Sequence, residues 1–224
     1  MWKLLRSQYE KSLAERRDVK DFPLTRFVSM IVALIALYVV VSLVVLPSDA
    51  KPEFNFVDER GSVTALSAIL LASGAAFSFA AFVLSVGDLF RTRMFWLIAA
   101  AALGLLSLDE LLQFHERIGD RIDAWGVNAG PVRHWNDIIV ISYGVLALGF
   151  LAFFLPVILR SPRFLKLLIV AFLFFVLHTA IDSVTEPPTT ASMIVEETAK
   201  LYSATFISIA FLVGMLNSPL SRNG

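Results

Sequence analysis

The 224-residue chain is 57% hydrophobic with a mean hydropathy of +0.74, well above the apolar share of soluble domains, so a water-soluble globule is excluded. Lys plus Arg and Asp plus Glu balance at 19 each, which leaves no basic excess for nucleic acid. With no cysteine, disulfides, thiolate metal shells, cysteine nucleophiles and thiol redox chemistry are all excluded.

In chain order, residues 1–26 are polar and charged and predict a cytoplasmic amphipathic segment, with Trp2, Leu4, Leu5, Tyr9 and Leu13 among basic residues. The plain reading is a solvated helix; the sharper one is a helix lying on an anionic leaflet. The first apolar run, Phe27 to Leu46, is longer than a signal-peptide core and has no small-residue cleavage site close behind it, so it predicts a signal anchor. Five more apolar segments follow at 63–87, 94–114, 136–159, 164–184 and 194–216. Each is long enough to cross about 30 Å of hydrocarbon at about 1.5 Å per residue. Lipid offers no partner to free backbone groups, so each is expected to be a helix. The fold class expected is all-α, a polytopic bundle of six transmembrane helices over 27–216, with a short tail at 217–224.

Orientation follows from the cations. With the N-terminus placed in the cytoplasm, thirteen of the 19 Lys and Arg fall on that side and six on the other. The positive-inside rule then puts both termini in the cytoplasm, in what we expect to be a bacterial inner membrane. The acids sort oppositely: fourteen of 19 lie outside or in the outer ends of spans.

Some of those acids interrupt apolar helices. The third span ends S-L-D-E-L-L-Q-F-H-E-R-I-G-D over 107–120. On one continuous helix, Asp109, Glu116 and Asp120 form a stripe, and Glu110, Gln113 and Arg117 a neighbouring one. In the fifth span, His178 and Asp182 are one turn apart, with Glu186 a turn further before Pro187-Pro188. The sixth span enters with Glu196-Glu197, and Lys200 one turn deeper; the fourth enters with His134, Trp135 and Asp137. A charge in hydrocarbon costs roughly 2.5–3.5 kcal/mol on insertion scales. Acids from several spans at one depth are therefore expected to meet in a buried chamber facing the extracytoplasmic side.

Carboxylate with imidazole, and no thiolate, suits zinc, iron or manganese. The predicted metal ligands are His178, Asp182, Asp109, His115 and Glu116, with Glu110 and Glu197 as catalytic acids. A divalent metal there would activate water against a membrane lipid or lipidated substrate. The plain alternatives are a core histidine at 178, an interfacial His115, a His134–Trp135 membrane anchor, an i, i+4 ion pair between Glu196 and Lys200, and Arg117 neutralising a neighbouring acid. Glu186, Asp120 and Asp123 are expected to be solvated, and span serines such as Ser107 and Ser203 to serve packing. Two other functions fit the same cluster: a proton- or cation-coupled transporter or channel, and a non-catalytic assembly protein.

The run F-F-V-L-H-T-A-I-D at 174–182 and E-E-T-A-K at 196–200 resemble the F-x-x-x-H, H-x-x-x-D and paired-glutamate elements of prenyl-peptide intramembrane proteases. The order is inverted, one histidine serves two elements, and the arginine is missing. Ceramidase- and adiponectin-receptor-like hydrolases are similar only in holding an intramembrane His and Asp. Both resemblances imply hydrolytic chemistry without assigning the chain to either family.

Overall fold

The computed structural model describes residues 23–44, 56, 61–126, 134–185 and 189–217. The N-terminal segment up to residue 22, Glu186, Pro187, Pro188 and the tail from 218 lie outside the described residues. Among the described residues there are eight helices and no strand. They are α1 (Leu24–Val44), α2 (Ser62–Leu84), α3 (Phe90–Leu112), α4 (Phe114–Ala124), α5 (Trp135–Phe153), α6 (Leu155–Ile158), α7 (Pro162–Val184) and α8 (Thr190–Leu216). All but α4 and α6 are long and apolar enough to cross a membrane. The architecture is thus the all-α, six-span bundle that the sequence predicts.

Two boundaries differ from expectation. The fourth span stops at Phe153 rather than 159, and α6 is a separate turn with proline in its first positions. Pro156 has no N–H for the preceding helix, and its ring crowds the carbonyl one turn back. The third span stops at Leu112, where Gln113 takes φ 53° and ψ 48°.

The last helix is the axis of the bundle. α8 packs along α7 on one side and α2 on another, and α2 in turn packs along α3. Small residues allow this closeness. The Ser107 hydroxyl donates to the Ala68 carbonyl at 2.8 Å, from α3 to α2. Ser203 donates to the Ala171 carbonyl at 3.0 Å, from α8 to α7. In a bilayer such interhelical bonds are worth roughly 0.6–2 kcal/mol each. α1 is peripheral and mostly exposed, joined to α2 by the Tyr38 hydroxyl on the Ser62 carbonyl at 2.6 Å. Exposed span residues such as Leu34, Leu37, Val145, Leu146 and Leu173 are apolar, as a lipid-facing wall requires.

One end of the bundle is solid. Phe95 stacks on Phe150 with ring centroids 5.3 Å apart, and meets Trp96 edge-on at 4.8 Å. Phe154, Phe164 and Phe211 close around them. Gly214 makes room for this cluster: a Cβ there would stand 2.5 Å from Trp96 Cη2. The polar groups gather at the other end, where α3 and α7 finish and α2, α5 and α8 begin.

Candidate functional site

At that end lies a cavity of about 270 Å³. Asp109, Glu110, His115, Glu116, His178, Asp182 and Glu197, the residues singled out from sequence, all line it. Asp137 of α5 and Glu196 of α8 line it too. Among the described residues, seven carboxylates and one ammonium, that of Lys200, line the chamber.

The turn at Gln113 shapes one wall. Its left-handed backbone is the one positive φ outside glycine among the described residues. This φ ends α3 and starts α4 in a new direction, so the stripe running from Asp109 through Glu116 to Asp120 does not form. Instead α4 folds His115 back onto the helix it left. The His115 backbone N–H donates to Asp109 Oδ1 at 2.9 Å, and the ring Nδ1 lies 2.8 Å from Asp109 Oδ2. His115 was expected a turn further out; the reversal at Gln113 is why it is not. The Gln113 amide donates to Glu116 Oε2. His115 Nε2 stands 3.9 Å from Glu116 Oε1, beyond hydrogen-bond length. Burial disfavours charge on the His115 imidazole, but the Asp109 hydrogen bond and charge, helped by Glu116 and Glu110, outweigh it and raise its pKa above the ordinary histidine value.

α4 is fixed against α5 by Gly119, where a Cβ would stand 2.5 Å from the Asn136 backbone nitrogen. Its outer face stays outside the chamber. Asp120, Arg117 and Arg121 are exposed, and Asp123 Oδ2 lies 3.5 Å from His134 Nδ1. The Asp137 carboxylate accepts the His134 N–H at 3.3 Å and is 5% exposed.

The deeper acids are held by Lys200. Its Nζ lies 2.7 Å from Glu197 Oε2 and 3.0 Å from Glu110 Oε1. The expected ion pair of Lys200 with Glu196 is replaced by this bridge. Glu196 turns instead to α7, with Oε1 3.7 Å from His178 Nδ1. That nitrogen has no hydrogen-bond partner among the described residues. Of the predicted metal ligands, Asp109 pairs with His115, His178 faces Glu196, and Glu116 and Asp182 line the cavity, while the predicted catalytic acids Glu110 and Glu197 are bridged by Lys200. Among the described residues, no group of three or more His, Asp or Glu side chains is placed to hold a metal ion. Lys200 stands between two of the carboxylates, because buried acids need a counter-charge.

Sequence reasoning did not find Tyr143, Ser67, Asn136 or Gln113 as parts of the wall. Tyr143 had a signal, a phenol within the apolar fourth span, and it lies close enough to Asp109 for the side chains to interact. Ser67 had none, since span serines usually pack; yet it is 1% exposed, lines the cavity, and its hydroxyl has no hydrogen-bond partner among the described residues.

A family model described as a domain of unknown function, DUF8692, matches residues 27–214, from the first span into the last. Neither the curated proteins nor the solved structures contain a match.

Proposed function

The chain belongs to the DUF8692 family, and from the geometry of its chamber we propose that it is a membrane-embedded hydrolase acting on a lipid or lipidated substrate. The observation that carries this reading is the double contact of Asp109 with His115 at the chamber wall. Asp109 orients the ring through Nδ1 and leaves Nε2 to exchange a proton. Water adds to the substrate's carbonyl carbon as its proton passes to Nε2. Nε2 then gives that proton to the departing oxygen or nitrogen. The Lys200 ammonium supplies positive charge near the developing oxyanion. Glu110 and Glu197 then serve to hold Lys200 rather than to transfer protons.

Electrostatics narrows the substrate. The carboxylates among the described lining residues favour a neutral or cationic head group over an anionic one. The aromatic cluster across the far half supports a site open at one end rather than a conducting pore. The distribution of Lys and Arg supports a cytoplasmic membrane with the chamber on the extracytoplasmic side.

The carboxylates and histidines of the lining favour a second reading, in which a divalent cation (zinc, iron or manganese) enters the chamber and activates the water. The two are separated by one set of measurements. Purified protein in lipid nanodiscs is incubated with fluorogenic ester and amide lipids bearing neutral or cationic heads, with and without a chelator. Hydrolysis abolished by His115→Ala and indifferent to chelation supports the first reading. Loss on chelation, restored by one metal and matched by elemental analysis, supports the second. Turnover by His115→Ala and Asp109→Asn at the wild-type rate would sink the first outright.

A further inference from the structure

α4 carries a surface that the chamber does not use. It follows a span directly, yet its 11 residues are too few to cross a membrane. Its sides differ in chemistry. Gly119 meets α5, and His115 meets Asp109. At helical spacing Glu116, Asp120 and Asp123 fall on the side away from Ile118. The exterior side carries Phe114 and Ile118, one turn apart, with Trp125 where the helix ends; they are 43%, 51% and 72% exposed. Arg117 and Arg121, also one turn apart, are exposed along it. Neither arginine forms a salt bridge among the described residues.

We propose that this side of α4 lies on the lipid surface of the chamber-side leaflet, with Phe114, Ile118 and Trp125 among the upper acyl chains and the two arginines on lipid phosphates. Continuity identifies the occupant. Leu105, Leu108, Leu111 and Leu112 are exposed along the last turns of α3, so lipid covers that span up to the turn at Gln113. Phe114 follows at once and carries the same apolar surface onto α4. Water over three large apolar side chains would be unfavourable. Aromatic rings beside arginines suit the boundary between lipid and water: rings and aliphatic stems stay in the chains, and each guanidinium reaches up to a phosphate. The charges agree, since the arginines stand along the apolar side and the acids on the other. The surface does not depend on the hydrolytic reading, because none of these five residues lines the chamber.

The cysteine-free sequence allows single nitroxide labels at Ile118→Cys and Asp120→Cys, in liposomes of phosphatidylethanolamine and phosphatidylglycerol. Power saturation then reads access of oxygen, which enters lipid, and of a nickel chelate, which stays in water. The oxygen-to-nickel ratio at 118 is expected to exceed that at 120 severalfold. Arg117→Glu/Arg121→Glu is expected to lower the ratio at 118, and Arg117→Lys/Arg121→Lys to keep it. The unlabelled chain gives a second reading that no label can disturb: brominated lipids are expected to quench more tryptophan emission in the wild type than in Trp125→Phe. Equal ratios at 118 and 120, exclusion of both reagents from 118 as under a second copy or another protein, a ratio untouched by charge reversal, or no quenching assignable to Trp125 would each overturn the proposal.

Discussion

His115 touches Asp109 twice, through its backbone N–H at 2.9 Å and through its ring at 2.8 Å. One carboxylate thereby fixes both where α4 starts and how the imidazole is turned. Backbone placement and ring orientation are coupled, and a change at either residue moves both. On the proposed chemistry, His115→Ala lowers hydrolysis roughly a hundredfold to ten-thousandfold, the range of a lost general base. Steady-state turnover of a fluorogenic lipid measures this.

The raised pKa of His115 sets a pH dependence with a definite sign. As a base, the ring works when neutral, so turnover rises with pH as the shifted pKa is passed. Asp109→Asn removes the main source of the upward shift and moves that limb to lower pH, with lower maximal turnover. The same shift stabilises the folded chain below the ordinary histidine pKa, and this contribution fades as pH rises through the folded-state value. Thermal unfolding against pH should show the loss in the wild type and a flatter profile in His115→Gln. Superimposable pH–rate curves for wild type and Asp109→Asn would count against the assignment.

Lys200→Met leaves Glu110 and Glu197 without their shared ammonium. Breaking a buried pair from one side costs about 3 kcal/mol at the lower end of the usual range, which fits a lysine side chain that keeps 24% exposure. The triple variant Lys200→Met/Glu110→Gln/Glu197→Gln is expected to regain most of the lost stability, since the stranded charges are gone. Unfolding temperatures in one detergent decide this, and a triple variant no more stable than the single one would refute it.

Gln113 holds a left-handed backbone that a β-branched side chain resists. Gln113→Val is expected to destabilise by about 1–2 kcal/mol and to loosen His115 from Asp109. Gln113→Gly keeps the turn without the steric conflict and is expected to retain activity. A Gln113→Val protein with wild-type stability and turnover would show that the turn does not position the histidine.

Gly119→Ala places a methyl against the Asn136 backbone. Backbone does not yield as a side-chain tip does, so α4 must shift from α5, at about 1–3 kcal/mol. Gly104→Ala, where a Cβ meets open space, is the matched control and is expected to be neutral. Equal unfolding temperatures for the two variants would mean that α4 is not docked through Gly119.

The number and type of elements were legible because lipid leaves the chain little choice. A run of about 20 apolar residues must satisfy its own backbone, and a helix does so locally. The convergence of Asp109, Glu110, His178, Asp182 and Glu197 was legible for a related reason: several charges in spans must meet one another or water, and their depth follows from their distance along each helix. Nothing in that argument says which charge meets which. The pairing of Lys200 with Glu197 and Glu110, and of His178 with Glu196, depends on the rotation of α8 against α3 and α7, which packing alone sets.

The sequence by itself determined an all-α, six-span bundle with its ionisable groups at one end, because hydrophobic length and the expense of charge in hydrocarbon act on each segment separately. Only the tertiary structure decided that Gln113 reverses the chain and brings His115 to Asp109, and that Lys200 stands between the two carboxylates expected to be catalytic acids. A single left-handed residue and the facing of one helix toward its neighbours are set by contacts across the bundle, and no periodicity along the chain encodes them.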